Sequence, residues 1–238
     1  MPDIPSFQKN DRYKASSYRA YNFKLPERYD SCFWMRFCQV SRWDQVIRTE
    51  LGPDIASLRI LDVGCATGRL LSTLAQAGAN NLAGVDLAPR ILDVARCKLT
   101  EQQVKAELRA ADAEDNLPWP SESFDVVSLT GVLHHFYRPH DALQEVCRVL
   151  RTGGRLLVID PDFVAPVRQL VNLWLWVVPH QGDCRFYSRR SATRLLEGAG
   201  LRSFRSERLG VWSYLIVAVK ESARGGRNDA PSESVGTR

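Results

Sequence analysis

The chain has 238 residues, 45% of them hydrophobic, and 32 basic against 27 acidic side chains for a formal charge of +5. Six Trp, nine Phe and seven Tyr exclude global disorder, and the length allows one core with appendages. A pI near 9.0 is too mildly basic to name nucleic acid as a partner.

No basic stretch followed by an apolar run opens the sequence, so a secretory leader is not expected. Cys32, Cys38, Cys65, Cys97, Cys147 and Cys184 lack C-x-x-C spacing, and the four histidines lack zinc spacing with them. The expectation is free thiols, a cytoplasmic setting and no metal site.

Residues 1 to about 30 are polar, carry Tyr13, Tyr18, Tyr21 and Tyr29, and are broken by Pro2, Pro5 and Pro26, which reads as an arm. Phe37, Val40, Trp43, Ile47 and Leu51 recur at helical spacing and predict an amphipathic helix over 33–51, stopped by Gly52-Pro53. Strands are then expected at 58–63, 81–86, 107–111, 124–129 and 155–160, with helices at 68–77, 89–98 and 141–150. Alternation of this kind, with several strands almost wholly apolar, specifies an open α/β sheet covered on both faces.

Residues 163–179 contain only Arg168, Gln169 and Asn172 as polar side chains and predict a helix apolar on most sides. It is short for a membrane span and carries Arg168. Three readings stay open: a lid buried between the sheet edge and the arm, a membrane contact, or a dimer contact. A helix over 188–198 and strands at 201–207 and 211–219 follow, the pair turning at Leu209-Gly210. Residues 221–238 are polar and read as a disordered tail. The arginines between 185 and 208 read as a solvated face, with an anionic partner as the alternative.

The stretch Leu58 to Gly68 orders the chain: an apolar run ending in Asp62, a turn with Gly64, Cys65 and Gly68, and a helix. Glycines there let backbone approach a ligand, and amides opening the helix meet negative groups. The spacing is G-x-x-x-G, with Ala66 where a dinucleotide site has its second glycine, which disfavours a nicotinamide enzyme. Asp86 lies 22 residues after Gly64, where a carboxylate can accept ribose hydroxyls or cap the next helix. Asp112 is placed to take an adenine amino hydrogen or to form an ordinary turn. Asp62 holds the glycine turn or meets a cationic amino group.

Leu-Asp-Val-Gly-Cys-Ala-Thr-Gly (61–68), Gly-Val-Asp-Leu-Ala (84–88), Ala-Asp-Ala (111–113), Phe-Asp-Val-Val (124–127) and Leu-Arg-Thr-Gly-Gly-Arg-Leu-Leu-Val (150–158) occur in order. Together they resemble class I S-adenosylmethionine-dependent methyltransferases, nearest the small-molecule, ubiquinone-biosynthesis-like subgroup (methyltransferase type 11), over residues 55 to 219. The resemblance implies a Rossmann-like, seven-stranded, mostly parallel sheet with an antiparallel last strand, helices on both faces and a three-layer sandwich. It implies a methyltransferase domain at 55–220; the lid at 163–179 is read from its own apolar residues, and the N-terminal segment, 1–54, which the resemblance does not reach, is expected to form part of the substrate cover. S-adenosyl-L-methionine is the implied cofactor, leaving as S-adenosyl-L-homocysteine. Gly64, Cys65 and Gly68 would shape its pocket, Asp62 would support it, Asp86 would hold the ribose and Asp112 the adenine amino group. Leu87 and Ala113 would line the ring, and Thr130 and Gly131 would offer backbone near the sulfonium.

His134 and His135 follow the fourth strand where a methyl acceptor would lie, and a histidine suits proton removal near neutral pH. His135 is the preferred catalytic residue, His134 the second, and Asp160 at the end of the fifth strand a further candidate. His140 reads as a surface or cap residue. The expected acceptor is a small, partly apolar metabolite with an O, C or N nucleophile, handled by a monomer or homodimer. The alternatives are methylation of RNA or another anionic macromolecule, and a non-catalytic cofactor-binding protein of the same fold. An Asn/Asp-Pro-Pro-Tyr-like motif is missing after the fourth strand, where Ser128 to His135 stand instead, which weighs against nucleic acid.

Overall fold

The computed structural model describes residues 12–31, 40–178 and 182–222. Seven strands form one sheet: β1 (Arg59–Val63), β2 (Asn81–Asp86), β3 (Glu107–Ala110), β4 (Phe124–Thr130), β5 (Leu150–Pro161), β6 (Leu201–Leu209) and β7 (Ser213–Lys220). Their order is β3-β2-β1-β4-β5-β7-β6. β1 to β5 pair in parallel, while β7 runs antiparallel to both β5 and β6. The chain leaves β1 in one direction and returns to β4 on its other side, so a crevice opens at the carboxyl ends of these two strands.

Consecutive side chains of the buried strands go to opposite faces. Leu61, Val127, Leu156 and Ile216 enter one core, and Ile60, Val126, Leu157 and Val217 the other. The first face is covered by α5 (Pro139–Val149) through Ala142, Leu143, Val146 and Val149, and by α7 (Arg189–Gly198) through Ala192 and Leu196. The second takes α2 (Val40–Leu51), α3 (Arg69–Gln76) and α4 (Pro89–Glu101), whose Trp43, Ile47, Leu71, Leu74, Leu92 and Leu99 fill it. This is the three-layer sandwich expected from the alternation.

Several boundaries move for physical reasons. α5 starts at Pro139, two residues before the expected Asp141, because proline fits a first helical turn. β5 begins at Leu150 rather than Arg155: Gly153 takes φ +76° inside the strand instead of closing a turn. The arm is helical, with α1 (Arg12–Arg19), a π turn (Ala20–Lys24) and a 3-10 turn (Pro26–Ser31). Polar composition concealed this, because tertiary contacts hold these turns. The expected start of the 33–51 helix, Cys32, Cys38, Pro2, Pro5, Pro179 and the tail from 223 lie outside the described residues. Cys65, Cys97, Cys147 and Cys184 are unpaired.

The apolar segment after β5 forms α6 (Ala165–Val177), but the expectation of a buried lid is corrected. Leu175 is its one fully buried residue, while Leu170, Leu173, Trp174, Trp176 and Val177 are exposed. The helix is apolar nearly all round, yet only the strip Arg168, Val171, Asn172 and Leu175 turns inward.

Candidate active site

A cleft opens at the carboxyl edge of the sheet. Across the strand order β3, β2, β1, β4 its wall is made by Ala111–Glu114, Asp86–Leu87, Val63–Gly64 and Gly131–Val132, with His135 and Phe136 beyond. Lys14, Ser17, Tyr21 and Tyr29 of the arm complete the lining.

Gly64 closes the first strand at φ +72°, and its main chain passes so near β4 that an added Cβ would lie 2.5 Å from Val132 Cγ2. No side chain fits without moving that wall. Gly64 and Cys65 donate their amides to Val85 O at 2.8 and 3.0 Å, which locks the turn to β2. Gly68 also has positive φ, but what crowds it is Leu99 of α4, so it serves helix packing rather than lining the cleft. Cys65 is buried, and burial pushes its thiol well above the usual range.

Asp86 faces the cleft and accepts the amides of Ala66 (to Oδ2) and Ala88 (to Oδ1), each at 3.0 Å. Asp86 thus braces the turn into α4 through the amide of Ala88, but the helix itself has no side-chain cap, so the capping alternative is not realised. Burial pushes the Asp86 carboxyl up to about 6, against the lowering effect of the Ala88, Ala66 and Leu87 amides. A carboxylate has about four acceptor positions, so capacity remains for a ligand hydroxyl. Asp62 stands behind the wall, buried, and accepts Ser128 Oγ at 2.7 Å; burial raises it to about 7.

Asp112 lines the cleft, accepting its own turn amide from Glu114 at 2.9 Å. Its other oxygen lies 2.5 Å from Lys14 Nζ, and Glu114 Oε2 is 3.1 Å from the same ammonium. Glu114, also held by the amides of Tyr137 and Arg138, and Lys14 were both missed in the sequence. An acid two residues after Asp112 looks like surface charge until the arm covers it.

His135 lines the cleft and His134 does not. His134 Nδ1 is 2.8 Å from Asp160 Oδ1, and Asp160 is fully buried behind it. Asp160 is thus a partner of His134 and does not line the cleft. Asp183, which sequence reasoning passed over, comes within 3.3 Å of His135 Nδ1 and 3.6 Å of His134 Nε2. Burial and the neighbouring His134 lower His135 to about 4, with Asp183 opposing. For His134, burial is outweighed by Asp160 and Asp183, and its pKa is raised. Tyr21 Oη approaches His135 Nε2 at 3.4 Å, its ring edge-on to the imidazole. Tyr29 packs on Tyr21, whereas Tyr18 is buried away from the cleft.

Ligand atoms of His134, His135 and Asp183 lie within 4.8 Å of one another, a grouping that could hold a cation. Scattered spacing predicted none, because Asp183 reaches the pair only through the fold. His135 Nδ1 is buried and makes no hydrogen bond, so Asp183 acts on it through charge at 3.3 Å. Thr130 Oγ1 is buried without a hydrogen bond, while Gly131, at φ +68°, donates its amide to Ile159 O at 2.7 Å and lines the cleft. His140 is exposed at the start of α5.

Five of the seven arginines between 185 and 208 have partners within the chain. Arg205 pairs with Glu50 and Glu207, Arg202 with Glu221 and Arg208 with Asp162; Arg189 donates to Ser206 O, and Arg185 lies over the Tyr187 ring.

Residues 61–158 match the family model described as "Methyltransferase domain". The ubiquinone biosynthesis O-methyltransferase of Xanthomonas oryzae pv. oryzae is 35% identical over 105 residues, 44% of this chain and 44% of that protein. The demethylmenaquinone methyltransferase of Tropheryma whipplei is 34% identical over 142 residues, 57% of this chain and 56% of that one. The chain thus spans about half the length of the curated relatives it matches. The magnesium protoporphyrin IX methyltransferase of Synechocystis PCC 6803, solved with bound SAH, superposes with a TM-score of 0.70 at 18% identity over 87% of this chain and 100% of that one, a likeness of fold. The family match runs from the first glycine turn into β5, and the sheet that surrounds it is a fold shared with solved methyltransferases.

The cleft fits that family's cofactor on its own geometry. A glycine bend too close to the wall for any side chain, a carboxylate at the end of β2 and a second after β3 suit a flat nucleoside carrying a charged tail.

Proposed function

We propose that this chain transfers the methyl group of S-adenosyl-L-methionine to a hydroxyl or enol nucleophile of a small, partly apolar acceptor in the cytosol. The observation that carries this reading is the run Asp112, Asp86, Gly64, Gly131, His135 along one sheet edge, all lining one cleft. When bound, the cofactor supplies a methyl carbon made electrophilic by its sulfonium, and S-adenosyl-L-homocysteine leaves. Asp86 accepts the ribose hydroxyls while keeping its amides. Asp112 accepts the adenine amino hydrogen, with Leu87 and Ala113 against the ring.

Acceleration rests on holding the acceptor in line with the methyl group and keeping water out. Tyr21 and Tyr29 of the arm, with Val132 and Phe136, give the cleft an apolar flank for that acceptor. His135, neutral at pH 7, takes the hydroxyl proton as the new O–C bond forms and the C–S electron pair returns to sulfur. Asp183 lies beside the imidazolium so produced, and the Asp160–His134 pair fixes its neighbour.

The test incubates the protein with methyl-labelled S-adenosylmethionine and, separately, a prenylated catechol, a prenylated hydroquinone and total RNA. Label in the apolar extract, matched by released S-adenosylhomocysteine, is expected. Label in RNA alone, or S-adenosylhomocysteine binding without turnover on either phenol, contradicts the proposal.

A further inference from the structure

Outside the cleft, the most unusual surface is the outer side of α6. Val167, Leu170, Leu173, Trp174, Trp176 and Val177 are exposed on one 13-residue helix, Leu170 and Trp176 at 68% each. Folded proteins rarely leave such a contiguous apolar patch without an occupant. The helix cannot simply roll inward. Asn172 on its inner strip exchanges two hydrogen bonds with the main chain of Phe186, at 3.0 and 2.8 Å. Tyr13 Oη donates to Leu175 O at 3.1 Å from the arm side. The outward face is therefore fixed by the fold.

A second element extends the patch. The β6–β7 hairpin tip exposes Val211 and Trp212, and the Trp212 ring lies 6.3 Å from that of Phe163, which leads into α6. The exposed charge near this surface is basic, since Asp162 beside the tip is buried and lies 3.7 Å from Arg208. Residues 163–182 contain Arg168 and no acidic side chain. Arg12 and Arg168 donate to main-chain oxygens of Trp176 and Phe163, near opposite ends of the helix, which leaves their charge uncancelled by those contacts. A two-fold contact through α6 would set these cations near their own copies, so a second copy of the chain is the poorer occupant.

We infer that α6 and the 211–212 tip dock flat on an anionic lipid bilayer, with the tryptophans at headgroup depth and Arg12 and Arg168 on lipid phosphates. At about 1.5 Å per residue the helix is about 20 Å long, too short to cross but suited to lying in the interface. No helix among the described residues is long and apolar enough to span. Indole rings favour this depth, and attraction to anionic lipid adds to apolar burial.

The test is co-flotation of the full chain with phosphatidylcholine vesicles, with and without phosphatidylglycerol, alongside the tryptophan emission and the solution mass. Two variants, Leu173→Glu and Trp176→Glu, change exposed positions only. The expected result is binding to the mixed vesicles, a blue-shifted emission, loss of binding by about tenfold or more in either variant, and weakening with salt. S-adenosylhomocysteine affinity should stay unchanged in both, which separates docking from the cleft's function. Binding equal on neutral vesicles, no flotation at all, or a dimer that both variants dissociate would overturn the inference.

Discussion

Lys14 Nζ lies 2.5 Å from Asp112 Oδ2 and 3.1 Å from Glu114 Oε2, so the arm is tied to the β3 end of the cleft by a nearly buried ion triad. Burial disfavours the ammonium, but Asp112 and Glu114 outweigh it and raise the Lys14 pKa. Lys14→Met leaves two carboxylates facing each other and should cost about 3 kcal/mol. Burial already raises Glu114 and Lys14 holds it down, so the variant's Glu114 rises further. The deficit should therefore shrink as pH falls. Urea unfolding at two pH values checks this; an equal deficit at both contradicts it.

Asp86 predicts opposite pH trends for the free and bound protein. Its folded pKa, about 6, lies above the ordinary 3.8, so its contribution to free-protein stability is full below about 4 and lost as pH rises through 6. Ribose binding needs the ionised form, so S-adenosylhomocysteine affinity should climb over that same window. Asp86→Asn should lose about tenfold in affinity at pH 7.5 and flatten the climb. Titration calorimetry at several pH values reads both.

Gly64→Ala should be the most damaging small change in the cleft. The substitution puts a side chain at φ +72° and 2.5 Å from Val132, combining a left-handed penalty of about 1–2 kcal/mol with a clash. Thermal unfolding should show a drop of several degrees, and cofactor affinity should fall with it. Gly78→Ala has positive φ but nothing within 4 Å, and should show the backbone penalty alone.

His135 held near 4 stays neutral well below the usual histidine range. At saturating cofactor, the acid limb of kcat against pH should fall below pH 5 rather than near 6.5. Asp183→Asn removes the anion that raises His135 and should push the limb lower still. His135→Ala should lower kcat by about 10²-fold or more. A limb near 6.5 that ignores both substitutions would remove His135 from the proton path.

The sheet was legible because its information is local. β2 was bounded residue for residue by its apolar run, Gly64 by its turn and the β6–β7 hairpin by the 209–210 reversal, while the antiparallel course of the last strand came from the family resemblance. Asp86 was legible by spacing alone. Lys14, Glu114 and Asp183 were not, since each acquires meaning from a partner at least 48 positions away or from cover by the arm. The orientation of α6 was equally hidden. A helix apolar on most sides has no periodicity to say which strip turns inward, and Asn172 decides it by finding Phe186.

The most direct test of the central claim is calorimetric titration of the folded full chain with S-adenosylmethionine and S-adenosylhomocysteine. Binding of one equivalent of each is predicted, weakened in Asp86→Asn and in Asp112→Asn. No heat and no thermal shift from either ligand, with the protein folded throughout, would contradict it.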